Sequence, residues 1–311
     1  MQTSRWGFKG TEDLGGGLKA RFALEGTLIN DTGAAGVPTG NPATTSLFDR
    51  EATVGVSGAF GSIDLGRQNL LGIGSVGLAD PMGLAFAATS PNVLFGAMNF
   101  GAVYGGYGAN GAGNSALRQS NSIKYVSPSF SGFGFALMRA FGEQGAGIQR
   151  GSYQGASVFY NAGPFGAAAA YARMKNNTDT DLLTSYGIGL KYTTSAAVIK
   201  GTYIANKTDI ANRTISVLGV GVDVPVAPAL TLTGAVYNTK RYGDFGPDQD
   251  SQQYHLISRY ALSKRTTAYA AYTRGNTSSV ITATDINLAQ GVVAVGSDKA
   301  NRFTVGVMHM F

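Results

Sequence analysis

The sequence lacks two things that would define other protein classes. None of its 311 residues is cysteine, which excludes disulfide bonds, thiolate metal ligands and cysteine nucleophiles. Although 44% of the residues are hydrophobic, they are dispersed singly, and no run approaches the roughly 20 apolar residues of a transmembrane helix. Helical membrane spans are therefore excluded. Because linkers and charge blocks are also missing, residues 1–311 are predicted to form one domain.

Basic runs and metal-binding patterns are missing as well. The formal net charge is +6, but lysine and arginine are scattered, so nucleic-acid binding is not predicted. The acidic residues do not cluster at calcium-loop spacings, and we expect neither a metal nor another cofactor. The opening Met-Gln-Thr-Ser-Arg does not resemble a signal peptide, so we expect the targeting signal to lie outside this sequence.

What the sequence does contain is glycine, aromatic residues and segments in which apolar and polar residues alternate. Glycine accounts for 45 residues, and Trp (1), Tyr (15) and Phe (16) together for 31, a mixture that favours strands and turns. In the opening segment Trp6 and Phe8 share one face, whereas Arg5 and Lys9 share the other. One face suits lipid and the other water, which indicates an all-β, transmembrane antiparallel β-barrel.

The alternation predicts fifteen strands joined by turns of alternating length, short and then long, which is typical of outer-membrane barrels. A soluble β-sandwich also alternates, but the last segment ends on an apolar face with the terminal Phe311, which favours the barrel. Residues 70–117 lack sustained alternation and are predicted to form a long functional loop. The predicted strands cover residues 4–30 (two strands), 49–58, 62–69, 118–127, 133–141, 153–162, 165–174, 185–193, 197–207, 214–224, 230–242, 252–262, 266–274 and 301–311.

Five segments carry a resemblance to a known family. They are the opening Ser-Arg-Trp-Gly-Phe-Lys-Gly-Thr-Glu-Asp-Leu-Gly-Gly-Gly-Leu-Lys-Ala block, Gly-Ser-Ile-Asp-Leu-Gly-Arg at 61–67, Asn-Ser-Ile-Lys-Tyr at 121–125, Leu-Ser-Lys-Arg-Thr at 262–266 and the terminal His-Met-Phe. The chain resembles the trimeric general porins of Gram-negative outer membranes, in their neisserial-like, β-proteobacterial branch.

The resemblance implies a 16-stranded barrel, a homotrimer, and a third extracellular loop, residues 70–117, folded inward as the constriction. It implies contact with outer-membrane lipid and lipopolysaccharide, and recognition of Phe311 by the barrel assembly machinery. Family members carry one more strand ahead of the Ser-Arg-Trp-Gly block. We therefore expect the first strand to be missing from this chain, through truncation or, as the alternative, with a different closure of the barrel.

Charged residues on the water-facing side are the candidate functional residues. Alternation points six basic side chains inward, with Glu25 as the main opposing charge; Asp80 is the single acidic residue of the long loop, which holds no basic residue. The basic residues are Arg5, Lys9, Lys19, Arg21, Arg118 and Lys124.

In the anion-selective members that the chain resembles, three arginines line the constriction, and the flanking motifs place them at Arg5, Arg50 and Arg118. Alternation with Val54, however, directs Arg50 toward lipid unless a bulge intervenes. The resemblance thus implies an outer-membrane general diffusion porin that passes small hydrophilic solutes passively, with small anions as preferred permeants.

Other interpretations remain open from the sequence alone. The arginines could be ordinary solvated lumen residues without a selective role. A substrate-specific channel, a loop-displaying adhesin or a barrel enzyme would share the same alternation. For an enzyme only His255 and His309 are available as bases; His309 lies on the lipid-facing side, and no nucleophile accompanies His255. We therefore do not expect an enzyme.

Overall fold

One antiparallel sheet contains nearly all the regular structure of the described residues. The computed structural model describes residues 4–30, 32–36, 46–84, 117–142, 149–176, 178–209, 212–243, 248–280, 293 and 296–311. The strands are β1 (Ser4–Gly15), β2 (Leu18–Ile29), β3 (Ala34–Ala35), β4 (Glu51–Gly58), β5 (Gly61–Asn69), β6 (Arg118–Val126), β7 (Phe133–Ala140), β8 (Tyr153–Ala162), β9 (Phe165–Lys175), β10 (Leu182–Thr193), β11 (Val198–Thr208), β12 (Thr214–Ala227), β13 (Leu230–Tyr242), β14 (Gln249–Ala261), β15 (Thr266–Thr277) and β16 (Lys299–His309).

Each long strand pairs with the next one along the chain, so the sheet is built of consecutive hairpins. Its path runs from β1 to β16, and the two-residue β3 pairs with the end of β2 beside that path. The fifteen predicted strands are all confirmed, and β3 brings the total in the described residues to sixteen. The expectation of a missing first strand concerns residues outside this chain and stays a prediction.

Two short helices follow β5: α1 (Leu71–Gly74) and a 3-10 helix (Val76–Ala79). Each has four residues. In the part of the chain that the structure describes, no helix has the length and apolar character that crossing a membrane requires.

The sheet is apolar on its outer face. Large hydrophobic side chains occupy every second position along the strands and are exposed on this face. Leu190, at 62% exposure, and Phe303, at 71%, are examples. The predicted outward set of β10, which is Tyr186, Ile188, Leu190 and Tyr192, is exposed throughout. A soluble protein rarely leaves a continuous apolar surface open, whereas a barrel in a membrane presents this face to lipid.

The opposite face is curved around an interior. Buried inward side chains from β7 through β15 form one cluster with Leu70, Leu71 and Met82, which follow β5. A flat sheet would hold these strands tens of ångströms apart at about 4.8 Å per strand. The segment after β5 contacts β7 to β11, and its Met82 N–H donates to the Tyr237 hydroxyl of β13, so the sheet curves around this segment as a barrel wall.

The segment inside the barrel is the start of the predicted long loop, and we call residues 70–84 the loop stem. It packs on β9, β10 and β11. Two glycines of the wall make this possible: a Cβ on Gly189 would lie 2.9 Å from the Ala79 Cβ, and one on Gly221 would lie 2.7 Å from the Pro81 Cβ. The remainder of the predicted loop, residues 85–116, lies outside the described residues.

Candidate pore-lining site

Glu25 lies at the centre of a cluster of arginines on the inner face of the first strands. The β1–β2 hairpin pairs Gly7 with Glu25 and Arg5 with Thr27, which puts Arg5 diagonally next to Glu25 on the same face. The Arg5 Nε lies 3.8 Å from Glu25 Oε2. The Arg50 Nε donates a 2.6 Å hydrogen bond to the other carboxylate oxygen, Oε1. One carboxylate therefore binds two of the three arginines that the sequence analysis singled out.

Arg50 reaches this position because it precedes the regular ladder. It lies in a bend before β4, and its backbone N–H donates to the Glu25 carbonyl at 3.1 Å. Glu51 is the ladder partner of the same Glu25. Arg50 and Glu51 on one chain segment thus both lie opposite Glu25 of β2, which is the arrangement of a β-bulge. Plain alternation from Val54 points Arg50 at lipid, but its guanidinium turns inward.

Arg67 belongs to the cluster and was missed by alternation, which assigns it to lipid together with Leu65. Its Nε donates to the Asp49 carbonyl at 2.6 Å and its Nη1 to Ser120 Oγ at 3.1 Å. The cause is local: Gly66 has φ +122° and the β5–β6 register shifts immediately after it. A glycine inside a strand pattern is a bulge signal, and it could have identified this residue.

Asp49 supplies the second carboxylate of the cluster. Its two oxygens accept hydrogen bonds from the backbone N–H (2.7 Å) and hydroxyl (2.8 Å) of Thr27 on β2. Both Asp49 and Thr27 are almost fully buried. This double contact ties the chain before β4 to the end of β2, and so fixes the bend that holds Arg50.

Arg118 is the most deeply buried arginine of the cluster, at 4% exposure. It interacts electrostatically with Arg50 and Arg67 and with the carboxylates of Asp49 and Glu25. Alternation from Lys124 does not carry through to Arg118, because Asn121 adopts φ +52° and the register shifts between them. The membership of Arg118 in the cluster is therefore established by its interactions with these four residues, and not by alternation.

Together Arg5, Arg50, Arg67, Arg118, Glu25 and Asp49 form what we call the arginine cluster. It contains four guanidinium groups and two carboxylates. Arginine stays charged at every relevant pH, so positive charge prevails in this group. The field of such a cluster acts over a longer range beside a low-dielectric protein wall than in bulk water.

A second layer of charges lies further along the same strands. Arg21 binds Asp64 with both Nε and Nη2, the first at 2.8 Å. Lys124 interacts electrostatically with Asp64, Glu51 and Arg21. Lys9 and Lys19 share the inward face of β1 and β2 through the ladder. The sequence analysis identified the basic members but missed Asp64 and Glu51.

Asp80 lies in the loop stem and joins it to the opposite wall. Its carboxylate accepts hydrogen bonds from the backbone N–H of Met82 (3.0 Å) and Leu84 (2.7 Å) and from the Tyr237 hydroxyl of β13 (3.1 Å). Asp80 is 1% exposed. The sequence analysis placed it at the constriction. Its contacts are those of an anchor, and its influence on permeating ions stays a prediction.

The two histidines lie on β14 and β16, outside the strands that carry the arginine cluster. His255 is buried on the inner face, with Nδ1 2.9 Å from Thr273 Oγ1. The His309 ring packs edge-on against Phe311, with the ring centroids 4.6 Å apart, and Phe311 is fully exposed. The role of Phe311 as an assembly signal stays a prediction.

Comparison with known proteins agrees with this architecture. Residues 1–279 match the profile of the family described as Gram-negative porin. Outer membrane porin protein 32 of Delftia acidovorans is 32% identical over 324 aligned residues, covering 99% of this chain and 85% of the relative. Among solved structures, an anion-selective porin from Comamonas acidovorans superposes with a TM-score of 0.77 at 28% identity, covering 99% of this chain and 90% of that one.

A more distant structure, the trimer form of the outer membrane protein OmpT of Vibrio cholerae, shares the fold. Its TM-score is 0.67 at 17% identity, with 99% of this chain and 91% of that chain covered. The described barrel, its apolar outer face and its charged interior are those of a general diffusion channel in the outer membrane. The chain belongs to the Gram-negative porin family.

Proposed function

We propose that this porin is anion-selective and that the arginine cluster sets the selectivity. The observation that carries the proposal is the surplus of guanidinium over carboxylate groups in that cluster, four against two. An anion entering the barrel exchanges hydration water for donors that are already fixed in position, and a cation meets net repulsion. The similarity to an anion-selective porin supports the same assignment.

Within the cluster the arginines differ in how far they reach the water. The Arg5 side chain is 55% exposed, the Arg50 side chain 13%. Arg5 is therefore the residue that meets permeating ions, whereas Arg50, Arg67 and Arg118 contribute mainly through the field behind it. Glu25 fixes the orientation of Arg5 and Arg50, since an ion pair limits the rotamers of both side chains.

Residues 70–117 are proposed to form the inward constriction loop. The packing of the loop stem supports this, because Leu71 and Met82 are buried in the interior cluster. In addition, the Leu70 N–H donates a hydrogen bond to the Leu117 carbonyl at 3.0 Å. Both ends of the predicted loop therefore lie together at the barrel wall.

We further propose that the protein assembles as a homotrimer, with Phe311 recognised by the barrel assembly machinery. The family relationship supports the trimer, and so does a structural neighbour described in trimer form.

The zero-current potential of the purified protein in a planar bilayer tests the selectivity under a KCl gradient. The wild type should prefer chloride, and a preference for potassium would overturn the proposal. Arg118→Glu should shift the potential toward the potassium side, because it removes one positive charge from the cluster and adds a negative one. Arg173→Glu is the matched control: it makes the same change in net charge on the exposed outer face, and should leave the potential unchanged.

A further inference from the structure

His255 is a buried titratable side chain that the proposed pore function does not use. It lies on the inner face of β14 and is 4% exposed. Its ladder partners are Ala235 on β13 and Thr273 on β15, and its Nδ1 lies 2.9 Å from Thr273 Oγ1. Its Nε2 is buried without a hydrogen-bond partner in the part of the chain that the structure describes. One ring nitrogen is therefore satisfied and the other is not.

This environment suits the neutral form of the His255 ring. A neutral imidazole has one N–H donor and one acceptor nitrogen, whereas an imidazolium has two donors. The Thr273 hydroxyl can serve Nδ1 in either case, because a hydroxyl both donates and accepts. The Nε2–H of an imidazolium, however, would be buried with a positive charge and without an acceptor, which costs far more than an unpaired neutral nitrogen. Protonation therefore favours displacement of the ring.

The charged and titratable groups that face His255 from the neighbouring elements leave no acceptor free for it. Among these described groups Asp80 is the only carboxylate, and its two oxygens already accept hydrogen bonds from the stem backbone and from the Tyr237 hydroxyl. Arginine side chains offer donors and no acceptor. The groups are Arg259 on β14, Tyr237 and Arg241 on β13, Tyr269 on β15, Arg302 on β16 and Asp80 in the loop stem.

Tyr237 connects His255 to the loop stem. Its ring packs edge-on against the His255 ring, with the ring centroids 5.5 Å apart. Its ladder partner on the other neighbouring strand, β12, is Gly219, where a Cβ would lie 2.7 Å from the Tyr237 ring. The Tyr237 side chain is fully buried. Because a close-packed interior has little free volume, displacement of the histidine ring shifts Tyr237 as well.

The Tyr237 hydroxyl holds the far end of the stem. It donates to Asp80 Oδ1 at 3.1 Å and accepts from the Met82 N–H at 3.2 Å. Between these two residues, the Pro81 carbonyl accepts a hydrogen bond from Lys200 Nζ at 3.2 Å. A shift of Tyr237 would thus break two of the hydrogen bonds that hold residues 80–82 to the barrel wall.

We propose that His255 makes the attachment of the loop stem to the wall sensitive to acid. The neutral ring supports Tyr237, and Tyr237 holds Asp80 and Met82. The protonated ring leaves its position, Tyr237 shifts with it, and the stem loses these bonds. The detached form binds one proton more than the attached form, so the attachment is strong at neutral pH and weakens as the pH falls. The proposal rests on the contacts of the stem and not on the ion selectivity of the channel.

Hydrogen exchange of residues 70–84 in the purified protein, measured by mass spectrometry at about pH 7 and about pH 4, tests this. The increase in stem exchange at the lower pH should be about tenfold larger in wild type than in His255→Asn, because the amide still hydrogen-bonds to Thr273 but does not titrate. His309→Asn is the matched control at an exposed site, and should respond like wild type. Since residues 70–84 are identical in all three proteins, the intrinsic pH dependence of exchange cancels.

Two results would overturn the proposal. One is an equal increase in wild type and His255→Asn, which would assign the acid response to another group such as Asp80. The other is stem protection in wild type that stays the same or rises at the lower pH. If His255→Asn does not fold, as judged by heat-dependent gel migration, His255→Gln replaces it with the same expectation. A wild-type preference for potassium would overturn the proposed anion selectivity and leave this proposal unaffected, because stem exchange does not depend on which ion passes.

Discussion

The inner wall of this barrel consists of two unlike regions. The inner faces of β1, β2, β4, β5 and β6, which we call the charged wall, carry arginine, lysine and carboxylate groups in close pairs. The inner faces of β7 to β15, the packed wall, carry alanine, glycine and buried aliphatic residues, against which the loop stem lies. The packed wall also holds an ion-pair group, in which Asp223 binds Lys200 and Arg259.

The difference shows how one sheet supports two tasks. A segment that packs inside a barrel needs small wall residues, because any Cβ at Gly189 or Gly221 would displace it. A wall that acts on ions needs long charged side chains with water in front of them. The two requirements exclude each other at any one position, so they are met at different positions of the sheet, mostly on different strands. Lys200 is a charged residue that also contacts the stem, since its Nζ donates a hydrogen bond to the Pro81 carbonyl oxygen at 3.2 Å.

The largest expected loss of stability is where the loop stem packs against the packed wall. Met82→Ala removes a side chain that is 3% exposed in the interior cluster, and should lower the free energy of unfolding by about 2–5 kcal/mol. It should also raise single-channel conductance as the stem loosens, with ion preference unchanged. Heat-dependent gel migration and bilayer recording measure both, against the control Met308→Ala at an exposed site. Unchanged stability and conductance would show that the stem does not depend on this wall.

A smaller effect is expected at the anchor of the stem. Asp80→Asn keeps the size of the side chain but removes the charge that receives three hydrogen bonds, and should cost about 1–3 kcal/mol. Tyr237→Phe, which removes the hydroxyl donor, should act in the same direction. Thermal unfolding and zero-current potential are to be measured together. An increase in anion preference without loss of stability would instead identify Asp80 as a charge of the pore.

The smallest effect is expected for the balanced pair of the charged wall. A double-mutant cycle with Arg21→Gln and Asp64→Asn should give a coupling energy of roughly 1 kcal/mol, since the Arg21 side chain is 38% exposed and water screens it. The double variant should retain the ion preference of wild type because both charges are lost together. A large change in its zero-current potential would mean that the second layer, and not the arginine cluster, controls selectivity.

The fold was readable from the sequence because alternation is a local property. Each strand can be recognised on its own, and the outward residues of β10 and β16 are where the period of two puts them. Alternation failed where the backbone leaves the regular ladder. Arg50 turns inward from a bend, and Arg67 follows a glycine with φ +122°.

The contacts of Asp80 were beyond prediction for another reason. Its partner Tyr237 is 157 residues away, and no local pattern records which inward residue of a distant strand the stem will meet. Asp64 presents a similar case: its bond to Arg21 depends on β2, β4 and β5 lying side by side. The resemblance to porins identified three of the four arginines of the cluster, and alternation identified Glu25 as their opposing charge, but neither identified Arg67 or Asp49.

The most direct test of the arginine cluster compares Arg5→Gln with Glu25→Gln by zero-current potential under a KCl gradient. If the surplus of positive charge sets selectivity, Arg5→Gln should weaken the preference for chloride by about twofold or more, and Glu25→Gln should strengthen it. Changes in the same direction, or no change in either variant, would contradict the account.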